Sequence, residues 1–183
     1  MSIPSQVSRS VGDPVRVSAA VLSAGSRAGA VGSAADPEVS RVLRQATGAH
    51  AALMQGDLEG YRASITLGED FTLMAPFGGR PTRGADLSEA RWKSIAGYFR
   101  NGRDSSVELV EAYRAADMVV LATIERTHAE VGGLPGQRWS LRVTLVFRKE
   151  DDQWKLVHRH ADALVPGITL EQAAALTLER DAA

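Results

Sequence analysis

The segment from residue 137 to 162 has the clearest secondary-structure pattern in the chain. In its first half, apolar side chains occupy every second position and polar ones fill the positions between; the apolar set is Trp139, Leu141, Val143, Leu145 and Phe147. This two-residue period is typical of a strand with one buried face. The acidic segment 150–152 favours a turn, and Trp154, Leu156, His158, His160 and Asp162 then share one face of a second strand. The segment therefore predicts an antiparallel β-hairpin.

The first half of the chain predicts helices. Asp36 followed by Pro37 is typical of a helix N-terminus, and apolar residues at helical spacing continue to Gly56. Asp57 can cap a shorter second helix. A third helix is expected from about Asp86 to the pair 101–102, because Asn-Gly is a common helix stop.

Strands and turns dominate the rest of the chain. A strand is expected at 71–74, followed by a Gly- and Pro-rich loop at 75–84. From Ser105 onward the pattern predicts a meander of about four antiparallel strands, which ends in the hairpin. Helices grouped first and strands grouped last indicate an α+β fold, with the N-terminal helices packed on one face of a curved antiparallel sheet.

The predicted organisation is one domain with two flanking segments. Residues 1–35 lack periodicity and are interpreted as a flexible N-terminal tail, with a secretory signal and an intersubunit arm left as alternatives. The domain is expected at 36–165. Residues 166–183 are expected to form a C-terminal helix or tail, since Thr169 and Gln172 have capping-box spacing.

Composition excludes several classes of protein. The chain has no cysteine, which excludes disulfides and thiolate chemistry and fits a cytoplasmic location. Its formal net charge is −1, with arginines scattered among acids, so neither nucleic acid nor a membrane is expected as a partner. We expect no cofactor, because the glycine-rich loop lacks a nucleotide-binding fingerprint. No metal is expected either, because the His-x-His of the hairpin has no third ligand at short spacing.

Several segments resemble the nuclear transport factor 2-like superfamily: GDLEGY at 56–61, FTLMAPFGGRPTRG at 71–84, and the W-x-x-VHRH strand at 154–160. Its branches include SnoaL-like polyketide cyclases, ketosteroid isomerase and the association domain of calcium/calmodulin-dependent kinase. The resemblance covers roughly residues 36–165. It implies a cystatin-like cone whose pocket lies between the helices and the concave sheet, and usually a homodimer.

Two branches of that superfamily are disfavoured by the residues at their functional positions. Ketosteroid isomerase needs an Asp base and an oxyanion hole of Tyr and protonated Asp. The resemblance places these groups on Ala75, Ala49 and Leu145, which have no suitable side chain, so ketosteroid isomerase chemistry is rejected. The pocket arginines of the kinase association domain would align with Leu145 and Ala161, so its pocket electrostatics are not reproduced.

The site expected from the sequence is therefore a pocket with a histidine acid or base. His160 is the leading catalytic candidate, with His158 and Asp162 in the same row, provided that no bulge reverses the strand. Glu125 or His128 is a further candidate, but alternation lets only one of them face the pocket. Substrate-binding residues are expected at Trp92, Arg83, Leu145, Phe147 and Tyr61.

Two functions remain open. The first is a SnoaL-like protein that binds a small apolar molecule of unknown identity, whether or not it transforms it by isomerase-, cyclase- or dehydratase-type chemistry. The second is a non-catalytic association domain that dimerises through a sheet surface including Arg142, Thr144 and Arg148.

Overall fold

The computed structural model describes residues 30–31 and 35–178. The helices are α1 (Pro37–Met54), α2 (Leu58–Ser64), α3 (Glu89–Gly97) and α4 (Leu170–Leu178). The strands are β1 (Ala30–Val31), β2 (Thr66–Met74), β3 (Thr82–Arg83), β4 (Phe99–Arg114), β5 (Met118–Val131), β6 (Leu134–Glu150) and β7 (Gln153–Ala163). A short 3-10 helix at Gly84–Asp86 precedes α3.

All the described strands form one curved sheet in the order β1-β4-β5-β6-β7-β2-β3. The long strands β4 to β7 are consecutive antiparallel neighbours, as the sequence predicts. The sheet is not purely antiparallel, because β2 pairs with β7 in parallel. The predicted α+β class is confirmed, and the core lies between α1, α2 and the concave side of the sheet.

The first helix begins where the sequence predicts. The Asp36 carboxylate accepts hydrogen bonds from the backbone N–H groups of Glu38 (2.8 Å) and Val39 (3.3 Å), which caps the helix and satisfies free donors. Its buried stripe packs on β4 and β5 and comprises Val39, Val42, Ala46, Ala49, His50 and Met54. The helix thereby carries one buried imidazole to the sheet.

The third helix and the strand after it differ from the prediction. The helix ends at Gly97, and β4 already begins at Phe99, so the pair Asn101-Gly102 lies inside a strand. Asn101 has φ 54° and Asp104 has φ 55°, and the pairing of β4 with β5 shifts register around them. Both a helix stop and a β-bulge use left-handed backbone, so the Asn-Gly pair is compatible with either. In this chain the pair marks an irregularity in a strand.

The two flanking segments are described only in part. The predicted N-terminal tail and its alternatives lie outside the described residues, except for Ala35 and for β1, which pairs with Tyr113 and Arg114 of β4. The predicted C-terminal helix is present as α4, and its capping box forms as expected: Gln172 N–H donates to the Thr169 hydroxyl at 3.2 Å. Within residues 30–31 and 35–178, no helix is long and apolar enough to cross a membrane.

Candidate functional site

A β-bulge in β7 decides which side chains face the helices. Val146 of β6 pairs with His158, while the next residue, Phe147, pairs with Leu156, so Val157 is an extra residue in β7. Before the bulge, Trp154 and Leu156 are buried against the helices. After it the alternation changes phase, so that Arg159 and Ala161 point inward instead.

The predicted catalytic row consequently lies on the outer face of the sheet. His158 Nδ1 lies 2.7 Å from the Thr72 hydroxyl, and burial together with the nearby His160 lowers the pKa of His158. His160 is exposed, and Asp162 accepts a hydrogen bond from Arg142 Nε at 2.6 Å. The expectation that this row could face the pocket is corrected, because the bulge reverses it.

We expect His160→Ala to leave the free energy of unfolding within about 0.5 kcal/mol of the wild type, since an exposed side chain on the outer face loses little on truncation. The same substitution at the buried His50 is expected to cost roughly 1–3 kcal/mol, because it leaves polar partners unpaired. Urea unfolding of both variants measures the difference. Equal losses at the two positions would contradict this assignment of faces.

An apolar cavity of about 80 Å³ lies between the helices and the concave face. It adjoins a wider vestibule of about 370 Å³, with which it shares Phe77, Ile95, Phe99 and Trp139. The floor of the cavity includes Tyr61, Leu53 and Arg159, and these three residues also line a deeper chamber of about 30 Å³. The three spaces are therefore neighbours, with the cavity between the vestibule and the deeper chamber.

The predicted substrate-binding residues divide between these spaces and other places. Trp92 and Tyr61 line the apolar cavity, with ring centroids 5.4 Å apart, and Leu145 lines the deeper chamber. Phe147 is fully buried in the core and does not line these spaces. Arg83 is exposed on β3 and is also not part of their walls.

The deeper chamber contains a buried charged cluster. Glu125 of β5 accepts a hydrogen bond from Arg159 Nη2 at 2.6 Å, and the same carboxylate oxygen lies 3.3 Å from His50 Nδ1. The other ring nitrogen of His50, Nε2, lies 3.3 Å from the backbone carbonyl oxygen of Arg126. Relative exposure of the side chains is 4% for Glu125, 3% for His50 and 18% for Arg159, so the arginine is the member that reaches the cavity.

The cluster fixes the protonation of its acid and of the adjacent phenol. Burial alone would raise the pKa of Glu125, but the charge of Arg159 and the hydrogen bond and charge of His50 outweigh it and lower the pKa to about 2. Burial raises the pKa of Tyr61 to about 12. The charge of Arg159 lowers this pKa and the charge of Glu125 raises it, and both effects are smaller than that of burial. Near neutral pH the carboxyl group is therefore ionised and the phenol neutral.

The polar floor of the cavity has hydrogen-bond donors without acceptors. Among the described residues, the Tyr61 hydroxyl makes no hydrogen bond, although the residue is buried. Apart from its bond to Glu125, the guanidinium of Arg159 has no acceptor in the same part of the chain. Both groups keep contact with open space, so they are available to a ligand or to water, whereas the Nε1–H of Trp139, which also lines the cavity, is enclosed without an acceptor among the described residues.

Comparison with known proteins agrees with the fold. A family model described as a SnoaL-like domain matches residues 42–166, which is more than half of the chain. The chain belongs to the SnoaL-like domain family. A search of curated proteins gives no match for this SnoaL-like domain.

Solved structures of similar fold have diverse descriptions. A candidate calcium/calmodulin-dependent protein kinase type II association domain from Thiobacillus denitrificans is 26% identical, with a TM-score of 0.52 over 70% of this chain and 95% of that one. A candidate dehydratase of the NTF2-like family from Streptomyces avermitilis is 20% identical, with a TM-score of 0.58 over 72% and 99%. A protein of unknown function with a cystatin-like fold from Nostoc punctiforme is 18% identical, with a TM-score of 0.55 over 74% and 96%.

Three cluster residues of this SnoaL-like domain were missed or left undecided by the sequence reasoning. His50 falls in the apolar stripe of α1, four residues after Ala46, and this was a usable signal. Alternation in β5 allowed Glu125 or His128 to face inward, and the structure selects Glu125. Arg159 had no local signal, because only the bulge turns it inward.

Nothing in the described residues adds a metal site to this pocket. No group of three or more His, Asp or Glu side chains within residues 30–31 and 35–178 is arranged to hold a metal ion. His128 lies apart from His158 and His160, on β5, with its Nε2 atom 3.3 Å from Arg103 Nη2. The polar side chains that line the deeper chamber are Tyr61, Arg159, Glu125 and His50.

Proposed function

We propose that this SnoaL-like domain binds a small, mostly apolar molecule that has a hydrogen-bond acceptor at one end. The observation that carries the proposal is the apolar cavity whose floor presents unpaired donors of Tyr61 and Arg159. The apolar body would occupy the vestibule and cavity, and the acceptor would reach the floor. The vestibule alone, at about 370 Å³, is within the roughly 300–1,000 Å³ range of small-molecule sites.

The charges of the cluster favour binding over acid-base catalysis. A general acid or base works best when its pKa is near the working pH. The pKa of Glu125, about 2, makes it a weak base, and the pKa of Tyr61, about 12, makes it a weak acid. Both ring nitrogens of His50 already face oxygen atoms. An isomerase, cyclase or dehydratase activity therefore has less support than ligand binding.

Blocking the cavity is expected to abolish binding. N-phenyl-1-naphthylamine, a neutral apolar fluorophore, should bind to the wild-type protein with increased emission. Its affinity should fall at least tenfold in Ala75→Phe, because Ala75 lines the cavity. Ala116→Phe, at an exposed turn, is the matched control and should bind like the wild type. Fluorescence titration with parallel melting curves makes the comparison. Absence of binding to the wild-type protein, or equal binding to both variants, would refute the proposal.

The second candidate function is assembly through the outer face of the sheet. In β5, the side chains between the buried positions point to the outer face and form a partly exposed apolar strip. The strip comprises Val120, Ala122 and Ile124 of β5 and Val146 of β6, which pairs with Val120. Ion pairs flank it, including Arg126 with Glu108 and Arg142 with Asp162. An apolar strip within a polar rim is the composition of many subunit interfaces, and the predicted Arg142, Thr144 and Arg148 lie on this face.

If this face forms a homodimer, light scattering should give twice the mass of the chain. Val146→Lys is then expected to give the monomer mass, because it places a charge inside the strip. Val165→Lys, at an exposed position outside the sheet, is the control and should stay dimeric. A wild-type protein at the monomer mass at tens of micromolar would defeat the assembly proposal.

A further inference from the structure

The free donors of Arg159 define the chemistry of the ligand's polar end. Arg159 carries five N–H donors in a planar fork, and Glu125 accepts from one nitrogen, Nη2. The ion pair fixes the side chain beside the apolar cavity, so that its remaining N–H groups are presented at the floor. A planar group with two acceptor oxygens fits such a fork better than a single carbonyl oxygen does.

Resting on the proposed function above, we propose that the polar end of the ligand is a carboxylate. The carboxylate accepts from the fork of Arg159 and from the Tyr61 hydroxyl, which lines the same floor. Tyr61 donates rather than repels, because its phenol is neutral. The apolar remainder of the ligand points toward Trp92 and Trp139.

The His50 ring lies between the Glu125 carboxylate and the Arg126 carbonyl, and Arg159 and Tyr61 line the same chamber, so the donors that remain for the ligand are those of Arg159 and Tyr61.

The experiment compares an acid with its isosteric amide. 3-Phenylpropionate and 3-phenylpropanamide have the same apolar body, and each is titrated by displacement of N-phenyl-1-naphthylamine and by calorimetry at pH 7.5. The acid is expected to bind about tenfold or more tightly, as charge-assisted bidentate hydrogen bonds favour it.

Variants assign the effects to individual residues. Arg159→Lys keeps the charge but loses the fork and is expected to remove most of the preference for the acid. Arg142→Lys, the same change on the outer face, is expected to keep it. Tyr61→Phe should lower affinity for the acid about fivefold. Retained binding of the fluorophore shows that each variant is folded.

The outcomes separate this inference from the proposed function. Binding of the fluorophore with equal affinities for acid and amide overturns the carboxylate assignment and leaves the apolar pocket intact. A preference for the acid that survives undiminished in Arg159→Lys overturns the role of the Arg159 fork. A wild-type protein that binds neither fluorophore nor acid overturns the proposed function itself.

Discussion

Glu125→Gln is expected to destabilise the protein by roughly 3 kcal/mol at pH 7, because it leaves Arg159 without its buried counter-ion. The substitution also weakens the contact to His50 Nδ1. Urea unfolding at constant ionic strength measures the loss. Glu108→Gln, which breaks the exposed pair with Arg126, is the control and is expected to cost less than about 1 kcal/mol.

The cost of Glu125→Gln should depend on pH in one direction. The pKa of Glu125 is lowered to about 2 in the folded protein, from an ordinary value of 4.5. Because the pKa is lower in the folded protein, the carboxylate contributes its full stability when the pH is above the unfolded pKa of 4.5. This stability is lost as the pH falls from 4.5 toward 2. The two unfolding free energies should therefore converge over that interval. A difference that stays constant between pH 7 and pH 3, or one below 0.5 kcal/mol at pH 7, would contradict the buried ion pair.

Gly102→Ala is expected to destabilise the protein by about 3 kcal/mol through overpacking. A Cβ atom at this position would lie 2.6 Å from the backbone oxygen of Met54 and 2.7 Å from its carbonyl carbon. Backbone atoms cannot rotate away as a side chain does, so the end of α1 must move from β4. The Gln55 side chain, which donates to the Gly102 carbonyl oxygen at 2.6 Å, would lose its partner.

Gly97→Ala is the matched control for Gly102→Ala. No atom lies within 4 Å of the position that its Cβ would occupy, and Gly97 is the last residue of a helix. Alanine there is expected to change stability by less than about 1 kcal/mol, and toward greater stability. Thermal and urea unfolding of the two variants compare the sites. Similar values for both would show that the contact between α1 and β4 is looser than the structure indicates.

The fold could be predicted from the sequence because its elements have regular patterns. Alternation in residues 139–147 reports burial on one face, and Asp36-Pro37 places the start of α1 to the residue. The predicted boundary between α3 and β4 was wrong for a physical reason. Left-handed backbone, which Asn101 adopts, occurs both at a helix end and in an irregular strand, so the Asn-Gly pair alone does not distinguish the two.

The candidate site could be predicted only in part. Tyr61, Trp92 and Leu145 were expected in the pocket and line it, because apolar residues on buried faces point to the interior. The charged cluster was not anticipated, since it joins residues from α1, β5 and β7 that are far apart in the chain. The pocket arginines of the kinase association domain were expected to align with Leu145 and Ala161, and the arginine that lines this pocket is Arg159, which no alternation rule turns inward.

The extra residue Val157 has a consequence for comparing this domain with its relatives. Residues of β7 on either side of the bulge obey opposite parity rules, so counting along the strand from Trp154 matches Arg159 with outward positions in any relative that has a regular strand. An alignment that opens a gap at Val157 matches Arg159 with inward positions instead. Loss of Val157 would give a regular strand that keeps Arg159 inward, whereas a regular strand that retains Val157 would place the imidazoles of His158 and His160 in the cavity instead. Pocket chemistry in such relatives is therefore better compared by strand register than by residue spacing.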